Sequence, residues 1–594
     1  MATNTFSHPA WWKESVIYQV YPASFKDSNG DGWGDLKGLT SKLDYIKELG
    51  ANIIWCSPFC KSPQKDMGYD ISDYCDVDPK YGTLADADEL IAEMRKRDMK
   101  LMVDLVVNHT SDQAKWFLES RSSKENSKRD WYIWRPAKYD ADGKRQPPNN
   151  WSMILGEESS AWTWDEHTQE YYLSLFTPYQ PDLNWENPEV RAAVHDVLRF
   201  WLDRGACGFR MDVINLISKV PGLPDAEVVA PDHRFQPGFK HFANGPRLHE
   251  YLHEMNQKVL SKYDAVTVGE MPWVRDEDEI LRAVHPDRQE LSMIFLFELV
   301  DIDNIPGSYR MTMYDWKQSE IRRILAHQQE MMQRRGGWNS LFIENHDNPR
   351  SVSRYTSDDE QYRNHCAKLL ALMMTTLSGT VFVYQGQELG MKNFAGETNP
   401  EEYMDDVESI NYWKKMKTMY GHDAKMMDHA KHVVNAKSRD HARTPIPWTD
   451  ETPNAGFTEP SVKPWMKLVP DFQTINAKAQ VNGHDPQNES VFQFWKRALT
   501  RRQKNKSVFV YGQFDIVGDE KGNDDPIFAY TKSDGSDKWL VVLNFSEDAR
   551  NWRVPSNVQI KQWIAGNYIN GVLQKQSSDI VSLKPWEGLL GQCN

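Results

Sequence analysis

Three observations predict an α/β chain built on a closed barrel of eight parallel strands ringed by helices, a (β/α)8 TIM barrel. Eight short apolar runs recur up to Tyr384, separated by longer helical patterns, which is the mark of repeated βα units. The connection after the third run is far too long for a simple βα loop. From about Tyr511 the pattern changes to short alternating runs such as Trp539 to Phe545, as in a separate antiparallel sheet.

The runs are, in order, Val16 to Val20, Asn52 to Trp55, Leu101 to Val107, Gly208 to Met211, Ala265 to Gly269, Leu291 to Phe295, Leu341 to Glu344 and Val381 to Tyr384. The implied organisation is a barrel from residues 1–107 and 173–510, an inserted subdomain at 108–172, and a C-terminal β-sandwich at 511–594. The insert is rich in Trp, Pro, Asn and charge, lacks helical periodicity, and should overhang the barrel mouth. A second polar excursion, 393–482, has few strand signals and many loop residues. The apolar stretch from Leu369 to Tyr384 is broken by Thr375, Thr376, Ser378 and Gly379 and is shorter than a membrane span, so a buried helix, a turn and a buried strand are expected.

Composition narrows the function. A formal charge of −15 argues against a nucleic-acid partner, which would normally meet a basic face. Cys56, Cys60, Cys75, Cys207, Cys366 and Cys593 show no paired zinc-like spacing and are sparse for a disulfide scaffold, so free thiols in a reducing compartment are expected. The first residues contain no basic segment followed by an apolar one, which points to a cytoplasmic location with no membrane partner. Most of the 23 tryptophans are expected to be packing residues.

Three acids stand just past apolar runs: Asp212 after G-F-R-M, Glu270 after A-V-T-V-G, and Asp347 after L-F-I-E-N-H. In a parallel barrel the reactive groups come from the carboxyl ends of several strands, and a facing carboxyl pair is the machinery for breaking a glycosidic bond. Arg210 and Asp212, two apart on one strand, point the same way, either as a structural ion pair or as a cation keeping a nucleophile ionised. Glu270 follows an apolar run that would raise its pKa toward that of a general acid, unless it is simply a strand-end salt-bridge partner. His346 precedes Asp347, where imidazole and carboxylate could both meet sugar hydroxyls.

Together these segments resemble the strand-end motifs of glycoside hydrolase family 13, the α-amylase-like enzymes. D-L-V-V-N-H at Asp104 to His109 and M-G-Y-D-I-S-D-Y around Asp70 resemble further motifs of that family. Likeness to its α-glucosidase and oligo-1,6-glucosidase branch is carried by Y-P-A-S-F-K-D-S-N-G-D-G-W-G-D near the start, Q-P-D-L-N-W at Gln180 to Trp185, and R-T-P-I-P-W at Arg443 to Trp448. The resemblance implies Asp212 as nucleophile, Glu270 as general acid/base and Asp347 as transition-state stabiliser. It implies that His109, His346 and Arg210 line the same subsite, that Phe176 and Gln180 occupy pocket positions, and that Asp70 and Arg443 meet at a closed end gripping the terminal glucose. A retaining exo-α-glucosidase acting on small α-glucoside oligosaccharides would follow, as a monomer or small homo-oligomer, with transglucosylation open; its two carboxyl groups would lie about 5–5.5 Å apart. Val213 resembles the pattern that goes with acceptance of α-1,6 links, although a β-branched strand-end residue alone would explain it.

Asp27, Asn29, Asp31 and Asp35 are spaced like the first nine positions of a calcium loop, with Gly32 at the turn. Gly38 stands where an EF-hand has its last Glu, so the stretch is either a different Ca²⁺ site or an ion-free Asp/Asn/Gly turn. The branch resemblance implies a structural Ca²⁺ with the Trp33 carbonyl as a fifth ligand. Two other readings compete. N-H-D-N-P-R at Asn345 to Arg350 resembles sucrose isomerases, whose Arg-rich loop after the sixth strand is replaced here by Asp301-Ile302-Asp303-Asn304. A non-catalytic transporter-associated relative would be expected to lack the three acids and to carry a membrane anchor.

Overall fold

Eight parallel strands form one sheet in the computed structural model: β1 Val16–Val20, β2 Ile53–Cys56, β3 Lys100–Val106, β4 Gly208–Asp212, β5 Val266–Glu270, β6 Met293–Phe295, β7 Ser340–Leu341 and β8 Thr380–Tyr384. The structure describes residues 6–594 apart from 306, 307, 309, 395–398, 403, 485–488, 519–523 and 569–578. The hydrogen-bonded order β6-β5-β4-β3-β2-β1-β8-β7 joins the first strand to the last, as a barrel requires. Between β6 and β7 the described residues show no ladder. The Ser340 hydroxyl bridges that seam by donating to the Ile294 carbonyl at 2.8 Å, and the Phe295 and Phe342 rings pack with centroids 4.6 Å apart.

All residues of β1, β4, β5 and β8 are buried, which is why the sequence shows continuous apolar runs here and not alternation. Two predicted runs are shorter than expected. Ser292 and Thr267 pair through their hydroxyls and backbone amides, at 3.0 and 3.2 Å, where a β5–β6 ladder would begin. Past Leu341 the chain leaves the sheet, and Glu344 accepts hydrogen bonds from the Arg350 guanidinium at 2.8 Å and the Ser351 amide at 2.9 Å.

Helix α1, Pro188–Arg204, shows how a strand bearing site residues is delivered. Asn187 caps it, Pro188 starts it, and Gly205 ends it at φ 109° before β4 begins. Gly208 opens β4 at φ 146°, where an added Cβ would fall 1.8 Å from the Val266 carbonyl oxygen, so glycine is required for β4 to lie against β5.

Between β3 and β4 the chain forms a three-stranded antiparallel sheet of Trp162–Asp165, Glu170–Leu173 and Trp134–Arg135. It also contains helix Lys115–Ser122, missed because only Phe117 and Ser120 of its two turns are buried and no period emerges. Trp151, Trp162, Leu173 and Leu175 share a core with Val213, Leu216 and Phe242, which follow β4, so the insert rests on the barrel mouth. The 393–482 excursion is also more helical than expected. Val407–Tyr420 and Ala424–Lys437 pack as a hairpin through Trp413, Met416, Ala430, Val433 and Val434, a narrow apolar seam amid many lysines.

The C-terminal strands β9 Gln513–Ile516, β10 Ile527–Ser533, β11 Lys538–Asn544, β12 Ile560–Gly566 and β13 Gly588–Cys593 form an antiparallel sheet in the order β9-β10-β11-β13-β12. Its side chains divide with period two. Phe528, Tyr530, Val541 and Leu543 join the barrel core, while Ile527, Ala529, Leu540 and Val542 pack with Trp552, Val581 and Leu583 of a separate two-stranded sheet. The apolar stretch before it forms helix Arg363–Thr376 and β8, and buried Arg502 clasps the intervening turn by donating to the carbonyls of Leu377 at 2.7 Å and Gly379 at 2.6 Å. Among the described residues no helix is long and apolar enough to cross a membrane. All six cysteines are unpaired.

Candidate active site

The carboxyl ends of β3, β4 and β5 bring Asp104, Asp212 and Glu270 around the Arg210 guanidinium. Arg210 is fully buried. Its Nη1 lies 2.9 Å from Asp104 Oδ1 and 2.6 Å from Asp212 Oδ1, and its Nη2 lies 2.6 Å from Glu270 Oε2. Arg210 thus stands beside Asp212, as the spacing predicts, and is shared with two further carboxylates, Asp104 and Glu270. Val213 follows Asp212 in the left-handed region at φ 34°, a strained conformation for a β-branched residue, and its amide donates to Glu270 Oε2 at 3.1 Å. Asp104 is fixed from behind by the Trp55 indole at 3.1 Å and the Tyr69 hydroxyl at 3.2 Å.

Burial pushes Asp212 and Glu270 each up to about 7 and Asp104 to about 6, with Arg210 opposing the rise in every case. Three carboxylates on one cation leave two negative charges uncompensated in a water-poor pocket, so the cluster retains a proton near neutrality, and its titration belongs to the group. Desolvation thus acts on both acids alike and does not divide their roles. Each acid is also drawn on by its own neighbours, Asp212 by the Arg210 guanidinium and Glu270 by that guanidinium and the Val213 amide. One proton is thus held in common by the cluster near neutrality.

Asp347 sits in the opposite electrostatic setting. Burial would raise its pKa, but His346, Arg439 and Arg443 outweigh it and hold the carboxyl well below its ordinary range. Arg443 donates to Asp347 Oδ1 at 2.9 Å and Arg439 at 3.2 Å. The Gln19 amide donates to His346 Nδ1 at 2.8 Å, which fixes the tautomer with the proton on Nε2, 3.0 Å from Asp347 Oδ2. Tyr69 and Tyr21 sandwich that imidazole, with ring centroids 5.2 and 5.8 Å away.

These groups line a cavity of about 890 Å³ that takes in Asp66, Tyr69, His109, Phe176, Asp212, Val213, Glu270, Asp347 and Arg439. The expected contact between Asp70 and Arg443 is not made. Both Asp70 oxygens are taken within a turn, by the amides of Lys65 at 2.9 Å and Asp66 at 3.0 Å and the Ser62 hydroxyl at 3.0 Å. Arg443 instead braces the 346–347 segment, donating to the His346 carbonyl at 3.0 Å as well as to Asp347. The carboxylate and cation that do reach the cavity are Asp66 and Arg439, four residues earlier in each segment and 3.8 Å apart. Gln180 lies behind Asp66 and orients it at 3.0 Å, while His109 is kept neutral by burial and packs its ring 5.0 Å from Phe176. Asp104 and Tyr69 were also missed as site residues, although both lie inside the motifs that carried the resemblance.

The 27–35 loop offers hard oxygen donors of the kind Ca²⁺ prefers. In this geometry Asp27 accepts from the amides of Asn29, Gly30 and Gly32 and from the Thr458 hydroxyl, which uses its acceptor capacity. Asp35 caps helix Leu36–Thr40 and accepts from Ser28, and Asp31 accepts from the Trp33 amide at 2.8 Å. Among the described residues no three acidic, His or Cys side chains gather closely enough to hold a metal. The donor chemistry suits the ion, but Asp27 would have to exchange its present partners.

The α-amylase catalytic-domain model matches residues 19–512. An α-glucosidase of Schizosaccharomyces pombe is 47% identical over 98% of this chain and 98% of its own length. An oligo-1,6-glucosidase of Parageobacillus thermoglucosidasius is 45% identical over 97% of this chain and 98% of its own. Among solved structures, an isomaltulose synthase of Protaminobacter rubrum superposes with a TM-score of 0.90 at 41% identity, covering 99% of this chain and 100% of that one. A trehalose-6-phosphate hydrolase of Bacillus licheniformis does so at 0.88 and 38%, covering 98% and 100%. With its three strand-end acids gathered at the mouth of a parallel barrel and these matches along nearly its whole length, the chain belongs to the α-amylase family, glycoside hydrolase family 13.

Proposed function

We propose that this protein is a retaining, exo-acting α-glucosidase that removes terminal α-glucosyl units from short α-glucoside oligosaccharides, α-1,6 links included. The observation that carries the reading is the shared Arg210 cluster, in which Asp212 and Glu270 face the cavity on one guanidinium and burial keeps a proton between them near neutrality; with that proton on Glu270 and the charge on Asp212, the pair is ready to react. Asp212 attacks the anomeric carbon as Glu270 gives its proton to the departing oxygen; Glu270 then takes a proton from water, which releases glucose with its configuration retained. Asp347, held as a carboxylate, stabilises the positive charge that develops on the sugar. Asp66 and Arg439 offer a fixed acceptor and donor for hydroxyls of a single terminal sugar. A product time course on maltose, isomaltose and sucrose, followed by proton NMR, tests this. Glucose appearing first as the α anomer is expected, and β-glucose would overturn the mechanism.

Likeness to isomaltulose synthases and the N-H-D-N-P-R segment favour sucrose isomerisation as a second reading. Against it, the stretch after β6 lines the cavity with Glu298, Asp301 and Asn304, while Asp303 is buried against Lys437 at 2.7 Å and Arg354. The sucrose arm of the same experiment separates the two, since isomaltulose or trehalulose in place of glucose and fructose would favour the isomerase. Val213 lines the cavity beside both acids, so Val213→Thr is expected to shift the isomaltose-to-maltose ratio of kcat/KM toward maltose by about tenfold. An unchanged ratio would remove Val213 from linkage selection.

Calcium in the 27–35 loop belongs to the same proposal, with Asp27, Asn29, Asp31, Asp35 and the Trp33 carbonyl as ligands. It rests on their hard oxygen chemistry and their alternate spacing. Elemental analysis of desalted protein should find about one Ca²⁺ per chain, and chelation should lower Tm. Ca²⁺-free protein with an unchanged Tm would leave the loop an ion-free turn. A cytoplasmic location is likewise proposed, supported by six unpaired cysteines.

A further inference from the structure

We infer that Asp406, on the segment entering the 407–437 helical hairpin, is a positioning residue that fixes the Arg439 guanidinium for the terminal sugar; the inference rests on the glucosidase reading. Asp406 is fully buried, and its Oδ1 accepts from Arg439 Nε at 2.6 Å while its Oδ2 accepts from the Arg439 amide at 3.3 Å. A guanidinium is planar, so holding Nε at the back sets the direction of both terminal nitrogens at the front. Nη1 donates to Asp347 at 3.2 Å. Nη2 faces Asp66 at 3.8 Å and, among the described residues, has no hydrogen-bond acceptor, although it is buried in the cavity wall. A buried donor left open beside the reacting groups is suited to a sugar hydroxyl.

Asp406 is itself immobilised from three sides. It caps helix Val407–Tyr420 by accepting from the Glu408 amide at 3.1 Å, and it accepts from the Ser409 hydroxyl at 2.6 Å. Its own amide donates to Asp440 Oδ2 at 3.2 Å, beside the Asp405 amide at 2.9 Å. The hairpin thus sets the orientation of a cavity residue from behind, without entering the cavity. Without the Asp406 charge, Arg439 is drawn toward Asp347 and Asp66, and the open Nη2 position is lost.

Asp406→Asn keeps the size and, with its oxygen at the Oδ1 position, the helix cap, but removes the charge and turns an amide N–H2 toward the Arg439 backbone N–H. We expect KM for isomaltose and the inhibition constant of glucose each to rise about tenfold, with kcat within about threefold of wild type, in protein that remains folded at the assay temperature. In an Arg439→Ala background the same substitution is expected to add nothing, because its effect passes through Arg439. Wild-type KM and glucose affinity in Asp406→Asn, or a full further rise in the Arg439→Ala background, would overturn the inference. Failure of the wild-type protein to release glucose from isomaltose would sink the functional reading alone. Glucose affinity measured by calorimetry, wild type against Asp406→Asn, would then still decide the role of Asp406.

Discussion

Asp212→Asn is expected to lower kcat/KM by about 10⁴-fold or more, which corresponds to about 5.5 kcal/mol of transition-state stabilisation, and at the same time to raise stability at neutral pH. The first effect follows from chemistry, since an amide cannot form the glycosyl ester. The second follows from the buried cluster. Burial holds Asp212 and Glu270 up near 7 in the folded protein, against ordinary carboxyl values of 3.8 and 4.5 in the unfolded chain, so between about pH 4 and pH 7 the native state binds more protons than the unfolded state. Stability therefore falls as pH rises through that window, and the full penalty is present above pH 7. Removing the Asp212 carboxyl removes its share. Calorimetry should find Tm of the variant higher than wild type by about 2 °C or more at pH 7.5, with the gap closing toward pH 4.5. Equal Tm values across that range would mean that Arg210 fully compensates the cluster.

The barrel was legible because parallel strands buried on both faces leave continuous apolar runs, and β1, β2 and β8 appear within a residue of the runs that predicted them. The acids were legible because a strand must end where the apolar run does. Less visible were features in which one side chain answers to several partners. Arg210 and Asp212 are two apart and read as a pair, but Asp104 and Glu270 come to Arg210 from neighbouring strands, and no local spacing announces that. Asp70 illustrates the converse. Its sequence setting suits a sugar ligand, yet the turn that places Asp66 on the cavity wall consumes both Asp70 oxygens, and only the three-dimensional course of residues 62–70 shows which of the two is free to face substrate. The helical hairpin was hidden for another reason: its buried seam is narrow, and the lysines and methionines around it blur the period.

Glu270→Gln is expected to divide substrates by leaving group, and this is the sharpest test of the proton assignment. A sugar leaving group needs protonation as the bond breaks, so kcat/KM for isomaltose should fall by about 10²–10⁴-fold. A nitrophenyl leaving group departs as a stable anion and needs no acid, so the first step on an aryl α-glucoside should survive. Its turnover then stalls at the second step, where no base remains to activate water, and the glycosyl-enzyme on Asp212 should accumulate as a burst of nitrophenol and as a mass increment on the chain. Added azide, which needs no base, should restore turnover and yield the α-glucosyl azide. In wild type the basic limb of kcat/KM against pH reports loss of the Glu270 proton, expected near pH 7, and that limb should vanish in the variant. Were Asp212 the proton carrier instead, Glu270→Gln would keep the basic limb and lose isomaltose and aryl glucoside turnover alike. The place of one proton between two carboxyl groups of similar pKa thus becomes a choice between two kinetic patterns.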